Sequence, residues 1–371
     1  MRVLREKISC AFAETCAHGG KGQAPGAFGI FLMLLSCVYF AAAAAHRRLR
    51  RRRRLACPVI SVGNIVCGGT GKTPAVERIA GLLLQKGYRT AVVSRGYMGS
   101  GSSPWTVVSD GKKLLPGAAG GGDEPFMLAQ NLPGVPVISG RNRYRAGSFA
   151  LSEFGVEGVL LDDGFQHYSL ARDIDIVVID STRPFGSGYL LPRGDLREKP
   201  ASLKRADLLM LTHVDFCDDM SAVRKMLYEA AGEKPLVETV HMIAGFRCVK
   251  TGEELLPGSM RGKKAVALSG IGRPCLFEKA LSARGVNVLE SCRFPDHHPY
   301  TRKDIESVSE TARRRGAECI ITTLKDAVRL EAAGACPDED IFAARVRLEP
   351  VKGEEELERV LSACFPGGER A

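Results

Sequence analysis

The sequence contains no C-x-x-C pair, and none of its 12 cysteines lies near a histidine at the spacing of a zinc site. A chain of 371 residues is also long enough to fold without a disulfide framework. The cysteines are therefore interpreted as reduced thiols in a cytosolic compartment.

The body of the chain has little excess charge of either sign. The net charge is +10, but residues 1–54 hold eleven Lys and Arg against two Glu, so the remaining residues are close to neutral. A basic surface spread over the fold would indicate nucleic-acid binding. Because the excess is confined to one terminal cluster, we predict no nucleic-acid partner.

Internal repeats are missing as well, and the arginine cluster is the one long low-complexity tract. Hydrophobic residues make up 45% of the chain and charged residues 25%, which are the proportions of a protein with a buried core. These values exclude a disordered, collagen-like or mainly membrane-embedded protein. At roughly 150 residues per domain, the length predicts two domains.

A long uncharged segment lies near the N-terminus. Gly26–Ala45 is apolar and, as a helix of 20 residues, long enough to cross a ~30 Å hydrocarbon layer. Seven arginines follow within residues 47–54, and arginine beside an apolar helix binds anionic headgroups on the cytoplasmic side. A signal peptide has its basic residues before the apolar segment, and a buried helix would have to keep its arginines solvated. A helix that spans the membrane or lies on it is therefore favoured, with the body facing the cytoplasm.

Beyond Leu55, short β-branched runs alternate with helical ones. Continuous apolar strands between amphipathic helices indicate parallel sheets covered on both faces, and so an α/β fold. The predicted strands are Pro58–Ile65, Thr90–Ser94, Val135–Ser139, Gly158–Leu161, Ile174–Ile179, Leu208–Thr212, Ala265–Ser269, Val286–Glu290 and Cys319–Thr322. Helices are predicted over Pro74–Lys86 and Leu276–Ala283. Val237–Lys264 has short alternating runs and is interpreted as a β-rich linker, so a ligand cleft is expected between two α/β units.

A glycine-rich turn follows the first predicted strand and precedes a helix that is expected to begin with Pro74. Its predicted phosphate-binding residues are Gly68, Gly69, Thr70, Gly71, Lys72 and Thr73. In such a turn the backbone amides wrap phosphate oxygens, the lysine reaches the outer phosphates and the threonine hydroxyl binds Mg²⁺. The pattern G-x-x-x-x-G-K-[ST] has its first glycine where this chain has Val66, and a purely structural glycine turn is the alternative.

Two acidic elements and a histidine pair are the other candidates for chemistry. Asp162 and Asp163 follow a buried strand, where carboxylates beside a phosphate loop hold Mg²⁺; solvated turn aspartates are the alternative. Asp123 and Glu124 follow two glycines, so one could activate a hydroxyl and the other hold a metal, although a helix N-cap explains Asp123 equally well. Residues 295–299 contain adjacent histidines that point in different directions. Zinc is therefore not favoured, and a single histidine hydrogen-bonded to a catalytic carboxylate across the cleft is preferred.

Together these motifs resemble the tetraacyldisaccharide 4′-kinase family of the lipid A pathway in Gram-negative bacteria. The matching segments are SVGNIVCGGTGKTP (Ser61–Pro74), SRGY (Ser94–Tyr97), GDEP (Gly122–Pro125), DDGFQH (Asp162–His167), LLPRGDLRE (Leu190–Glu198), LSGIGRP (Leu268–Pro274), FPDHHPY (Phe294–Tyr300) and TTLKDAVRL (Thr322–Leu330). As an ordered set they are far more specific than any single motif.

The resemblance implies a reaction and its setting. ATP would donate its γ-phosphate to the 4′-hydroxyl of a tetraacylated glucosamine disaccharide 1-phosphate, the lipid A precursor, and form lipid IVA. The family depends on Mg²⁺ and works at the cytoplasmic face of the inner membrane, beside an anionic membrane surface. A membrane-associated P-loop NTPase acting in transport or assembly is the alternative, and a non-enzymatic scaffold is a third hypothesis. The carboxylates and histidine of the cleft favour the kinase, since a scaffold does not need them.

The resemblance also implies roles for individual residues. The catalytic residues would be Asp123 as the base, His297 as its partner, Lys72 as a neutralising cation and Arg197 as a phosphate contact. The metal-binding residues would be Thr73, Glu124 and one of Asp162 and Asp163. Tyr97 and His167 would line the active site.

The implied architecture is a P-loop NTPase-like parallel-sheet domain with a smaller α/β domain. We expect an N-terminal extension with the membrane-associated helix and arginine cluster (residues 1–54) and a kinase domain (55–236). A β-rich linker (237–264) would join it to a C-terminal α/β domain that closes the cleft (265–371).

Overall fold

Nine predicted strands form most of one continuous sheet in the computed structural model, which describes residues 26–95, 104–115, 118–334 and 340–365. Each predicted strand is present, with its ends shifted by three residues or fewer. The strands around the phosphate loop are buried along their whole length, as strands between two helical layers must be.

The bounds of the elements are as follows. The strands are β1 (Val59–Gly63), β2 (Thr90–Ser94), β3 (Trp105–Asp110), β4 (Pro136–Gly140), β5 (Gly158–Asp162), β6 (Ile174–Asp180), β7 (Leu208–Thr212), β8 (Leu236–Cys248), β9 (Glu254–Leu255), β10 (Lys264–Ser269), β11 (Asn287–Arg293), β12 (Cys319–Thr323) and β13 (Ile341–Lys352). The helices are α1 (Ala27–Leu49), α2 (Lys72–Gln85), α3 (Asp123–Asn131), α4 (Arg143–Phe154), α5 (Met220–Ala231), α6 (Pro274–Ala283), α7 (Arg302–Arg315), α8 (Leu324–Ala332) and α9 (Glu354–Ser362).

Within the described residues the sheet has 13 strands and is mostly parallel. Its order is β11-β10-β12-β13-β8-β7-β6-β1-β5-β2-β4-β3, and β9 pairs with β8. The antiparallel pairs are β3 with β4, β8 with β13, and β8 with β9. The prediction of an α/β fold with a mostly parallel sheet is confirmed.

The sheet runs without interruption from a first lobe, which we define as β1 to α5, to a second lobe, defined as β10 to α8. β8 joins them: it pairs in parallel with β7 through Leu236–Glu238 and antiparallel with β13 along most of its length. The predicted β-rich linker therefore starts as one long strand. After β13, α9 returns to the first lobe and packs Leu357 and Leu361 into the core around β1. The exact domain boundaries stay a prediction.

α1 lies on the surface of the first lobe with most of its apolar side chains exposed. Phe28–Leu49 is long and apolar enough to cross a membrane, with a mean hydropathy of 2.2. Polar side chains connect the helix to the segment that contains the predicted phosphate contact. Ser36 Oγ donates to Leu190 O at 3.0 Å, and the Tyr39 hydroxyl donates to Arg197 O at 3.3 Å. The helix therefore lies directly against the loop of Arg197.

Candidate active site

The phosphate loop lies at the carboxyl end of β1, the edge at which parallel sheets place their binding loops. α2 begins at Lys72, two residues before the start predicted at Pro74. Gly71 caps the helix at φ +86° and Gly68 has φ +106°, both left-handed conformations that favour glycine. A glycine turn of this kind at a helix N-terminus is suited to binding phosphate oxygens.

Polar side chains of neighbouring segments hold the loop in place. Asn64 Nδ2 donates to Thr70 Oγ1 at 2.8 Å, and Thr212 Oγ1 donates to Thr70 O at 3.0 Å. Val66, at the position of the missing first glycine, is buried and forms an isolated β-bridge with Leu196. The residue that departs from the strict motif therefore has a structural role, because its side chain packs into the core of the first lobe.

Asp163 brings two of the predicted cations together. Arg197 Nη1 donates to both of its carboxylate oxygens, at 2.7 and 2.8 Å, and Lys72 Nζ lies 3.9 Å from Oδ1. Burial alone would raise the pKa of Asp163, but Lys72 and Arg197 outweigh it and lower the pKa to about 2. Asp163 is therefore an ionised carboxylate that orients the two cations beside the phosphate loop.

Asp162 is the more buried member of the pair, with 2% of its surface exposed. Its Oδ2 accepts a hydrogen bond from Ser94 Oγ at 2.9 Å. Burial, followed by the nearby charges of Glu124 and Asp163, raises the pKa of Asp162 to about 6. The charged form of Asp162 is disfavoured by burial and by these neighbouring negative charges. A divalent metal ion bound at this position would relieve that repulsion.

A buried arginine supports the turn that carries both aspartates. Arg143, the first residue of α4, is 4% exposed. Its Nη2 donates to the backbone oxygens of Asp162 at 2.7 Å and Asp163 at 3.2 Å. Asp163 has φ 51°, a conformation rare for a residue with a side chain, and the guanidinium holds the backbone there. Sequence reasoning did not identify Arg143.

Asp123 and Glu124 form the first turn of α3, and both face cations of α8. Gly122 caps the helix, so Asp123 lies one position inside it. Arg329 Nε donates to Asp123 Oδ2 at 2.9 Å, and Lys325 Nζ donates to Glu124 Oε1 at 3.1 Å. Burial would raise the pKa of Glu124, but Lys325 and then Lys72 lower it overall, which keeps the carboxylate ionised.

His297 lies beside the same two cations. Its Nδ1 is 3.1 Å from Arg329 Nη2 and its Nε2 is 3.2 Å from Lys325 Nζ. Burial, then the charge of Lys325, lowers the pKa of His297, despite the opposing effect of Asp296. The structure thus places His297 and Asp123 on one guanidinium, that of Arg329. The roles predicted for both residues stay predictions.

The second lobe also reaches the phosphate loop directly. A Cβ added to Gly272 would lie 3.3 Å from Gly69 N, so the two backbones approach closely. Next to it, Arg273 forms an ion pair with Asp180 at the end of β6, and its Nη2 donates to Thr182 Oγ1 at 2.8 Å. The cleft between the lobes therefore includes the loop and both acidic pairs.

Two predicted lining residues remain. Tyr97 lies outside the described residues. His167 Nε2 is 2.9 Å from Ser169 Oγ, and burial, followed by the charges of Arg143 and Arg172, lowers the pKa of His167 to about 3. The imidazole is therefore neutral at physiological pH, and its role in the site stays a prediction.

The donor set can be compared with what Mg²⁺ requires. In the described part of the chain, no three His, Cys, Asp or Glu side chains are placed to hold a metal by themselves. Mg²⁺, however, usually takes one or two carboxylates and completes its shell with water and substrate phosphates. The buried Asp162 carboxylate, with its raised pKa, and the Thr73 hydroxyl at the start of α2 fit that requirement. The residues are consistent with Mg²⁺ bound together with a nucleotide.

This arrangement supplies cations, a glycine loop and fixed carboxylates, which are the groups that phosphoryl transfer needs for positioning and charge neutralisation. The fold and the site therefore define a P-loop phosphotransferase with two lobes. Residues 28–365 match the family model of tetraacyldisaccharide-1-P 4′-kinase, LpxK. The chain belongs to the tetraacyldisaccharide 4′-kinase family, as the resemblance of its motifs predicted, and it is a kinase.

Individual relatives agree with this assignment. A tetraacyldisaccharide 4′-kinase of Anaeromyxobacter sp. (strain Fw109-5) is 42% identical over 322 residues, which cover 85% of each chain. One from Desulfatibacillum aliphaticivorans is 35% identical over 362 residues, 94% of this chain and 95% of that one. A crystal structure of LpxK from Aquifex aeolicus in complex with ATP is 30% identical, covers 91% of this chain and 99% of that one, and has a TM-score of 0.70.

Proposed function

We propose that this chain transfers the γ-phosphate of ATP to the 4′-hydroxyl of a tetraacylated glucosamine disaccharide 1-phosphate, which gives lipid IVA. Family membership supports the reaction, and the related structure with ATP supports the nucleotide. One observation of this structure carries the proposal: Lys72 of the phosphate loop lies 3.9 Å from Asp163 Oδ1, and its charge also helps to lower the pKa of Glu124 at the start of α3. The γ-phosphate of ATP and the acceptor hydroxyl would therefore bind beside the same cluster of charged side chains.

The residues divide the work of the transfer between them. Gly68 to Thr73 and the N-terminus of α2 would bind the triphosphate, and Lys72 would neutralise charge that grows on the transferred group. Arg197, which is held by Asp163, would contact the phosphate during transfer. Thr73, Asp162 and Glu124 would hold Mg²⁺, which would supply further neutralisation of the phosphate charge when bound.

Asp123 would accept the proton of the sugar hydroxyl. Its side chain is 41% exposed and Arg329 binds one carboxylate oxygen, so the other side of the carboxylate is accessible to the cleft. A carboxylate held in place in this way can take up a proton late in transfer, when the hydroxyl oxygen becomes acidic. His297, on the same guanidinium, would support its orientation.

The acceptor's chemistry fits a protein attached to a membrane. We propose that α1 anchors the chain at the cytoplasmic face of the inner membrane, and that the arginines of residues 47–54 bind anionic headgroups. The acyl chains could then stay in the bilayer while the sugar reaches Asp123. The contact of Tyr39 with the loop of Arg197 supports a short path between membrane and site.

The proposed reaction is tested by incubating the full chain with ATP, Mg²⁺ and the disaccharide acceptor and analysing the lipid by mass spectrometry. The expected product is heavier by one phosphate, and ADP forms only when the acceptor is present. Phosphate released from ATP at the same rate without acceptor would contradict the proposal and indicate an NTPase.

Gly71→Ala is expected to weaken ATP binding by about tenfold or more. An alanine at φ +86° costs roughly 1–2 kcal/mol, and its Cβ would lie 2.8 Å from His241 Cε1, so the loop must move. Isothermal titration with a non-hydrolysable ATP analogue measures the effect. Gly81→Ala, inside the same helix with open space around it, is the control and should bind as the native chain does. Equal affinities of the two variants would contradict the predicted role of the loop conformation.

Leu34→Asp combined with Val38→Asp is expected to release the protein from vesicles that contain anionic lipid. The two side chains are 59% and 65% exposed near the centre of α1, and an aspartate there opposes insertion by about 2.5–3.5 kcal/mol. Co-sedimentation should fall more than tenfold, since about 1.4 kcal/mol is a factor of ten. Leu256→Asp with Val351→Asp makes the same charge change at positions 78% and 57% exposed and should leave binding unchanged. If the α1 variant sediments like this control, another surface anchors the chain.

A further inference from the structure

α8 carries two cations that bind the proposed acceptor-side carboxylates, and the predicted roles include neither of them. Lys325 and Arg329 are four residues apart, so they lie on one face of the helix. Their partners Glu124 and Asp123 are adjacent in the first turn of α3, 201 and 206 residues away in the chain. The second lobe therefore holds the start of α3 at two points.

The Arg329 guanidinium uses all three of its nitrogens. Nε donates to Asp123 and Nη2 lies 3.1 Å from His297 Nδ1. Nη1 donates to Asp326 Oδ1 and to Gly270 O, each at 3.1 Å. A planar guanidinium bound at every nitrogen can neither rotate nor shift without breaking several of these contacts. It therefore fixes the relative position of Asp123 and His297.

The side chain that anchors Arg329 is itself fixed. Asp326 is completely buried, and its Oδ2 accepts from Gly270 N at 3.1 Å and from Thr323 Oγ1 at 2.7 Å. Its charge balances that of Arg329, whose side chain is 6% exposed, and so allows the guanidinium to remain buried. Asp123, in contrast, is open to the cleft on one side. Asp326 and Arg329 therefore form a rigid support, and Asp123 is the carboxylate on it that remains accessible.

We propose that Arg329 is a positioning residue for the phosphoryl transfer, which orients Asp123 and His297 toward the acceptor hydroxyl while Lys325 holds Glu124 in the same way. Arg329 acts through these residues and does not itself contact the reacting atoms. The inference rests on the proposed function, in which Asp123 is the base. A misplacement of about 1 Å at a reacting group can cost about 10²-fold in rate, and that is the effect expected here.

The test compares Arg329→Lys, Asp123→Asn and the double variant in the full chain, with ATP and the disaccharide acceptor. Lysine keeps the positive charge beside Asp326 but cannot bind three partners at once. We expect kcat of Arg329→Lys to fall about 10²-fold while KM for ATP changes little, because the four partners of the guanidinium include no residue of the phosphate loop. The double variant should be no slower than Asp123→Asn, because Arg329 and His297 act on the rate through the base, which Asp123→Asn already lacks. Glu331→Gln is the control: it removes an ion pair of α8 with Arg247, at 2.8 Å, on a residue with no proposed role.

Chemical rescue separates positioning from a general loss of structure. Adding guanidinium ion at low millimolar concentration to Arg329→Ala should restore part of the lost kcat, whereas potassium at the same ionic strength should not.

Four outcomes would overturn the inference and leave the proposed function standing. The first two are multiplying rate losses in the double variant and a rise of KM for ATP in step with the loss of kcat. The third is equal responses of Arg329→Ala to the two salts. The fourth is native turnover of Arg329→Lys when Asp123→Asn is slow, which would refute the positioning role alone. Native turnover of Asp123→Asn would instead refute the base role in the proposed function, and the inference with it.

Discussion

Asp123→Asn is expected to lower kcat for lipid phosphorylation by about 10²–10⁴-fold, the contribution typical of a positioned general base. Asparagine has nearly the same shape and can still accept from Arg329 through its amide oxygen, so the start of α3 should keep its position. Only the ability to take up the hydroxyl proton is removed. ATP binding should survive, because the phosphate loop and its supports in the first lobe are unchanged.

Steady-state rates with the lipid acceptor, together with titration of an ATP analogue, measure the two effects separately. Asp219→Asn is the matched control, since the Asp219 side chain caps α5 through Ala222 N and asparagine caps helices equally well. It should leave both quantities unchanged. If Asp123→Asn turns over at the native rate, another group accepts the proton and Asp123 has no part in the chemistry.

The local parts of the site could be predicted from the sequence because each is encoded within a few residues. The loop Gly68–Thr73 needs a strand, glycines and a helix start in succession, and all three are visible in the order of residue types. Asp162 and Asp163 follow a buried apolar run, which places them at the same sheet edge as the loop. The structure confirms this neighbourhood, with Lys72 3.9 Å from Asp163. Val66 breaks the strict motif without consequence for the fold, because its side chain is buried in the first lobe.

The parts supplied by tertiary packing could not be predicted in this way. In the sequence, nothing distinguishes Arg143, Lys325 and Arg329 from other basic residues of helices, which are usually solvated. Their role follows from contacts with residues far away in the chain, such as the 206 positions between Arg329 and Asp123. One signal was available: Thr322–Leu330 is among the segments that match the family pattern, but a match alone says nothing of what each side chain binds.

The strands missed by the sequence analysis have a similar cause. β13 pairs with β12 in parallel and with β8 antiparallel, so it is interior to the sheet, yet it carries Arg345, Arg347 and Glu349. Those charges lie on partly exposed positions and interrupt the apolar run by which the other strands were recognised. The sequence of β8 is interpreted as part of a linker for a similar reason: buried and partly exposed positions alternate along part of the strand, so the sequence lacks a continuous apolar run.

Lys72→Met should have the second large effect, a fall in kcat of about 10²–10³-fold, the range found when one charge-stabilising donor is removed from an active site. Lys72 Nζ lies 3.9 Å from Asp163 Oδ1 and 15% of its side chain is exposed, so no solvent cation replaces it easily. Its loss also leaves Asp163 with Arg197 as its remaining strong cationic partner, because Lys72 is the first of the charges that lower the pKa of this carboxylate. Arg197 would then be held more tightly by Asp163 and would be less available to the phosphate.

Lys86→Met, at the opposite end of α2, makes the same substitution where the ammonium binds Glu358 at 2.8 Å and no phosphate. The comparison removes one charge from the same helix in both variants, so a general effect of helix charge or stability would appear in each. Turnover and analogue binding, measured side by side, should change for Lys72→Met alone. Similar activities of the two variants would contradict the role of Lys72 in transfer. A loss of binding with unchanged kcat at saturating ATP would instead assign Lys72 to ground-state nucleotide binding, because only contacts that strengthen in the transition state raise kcat.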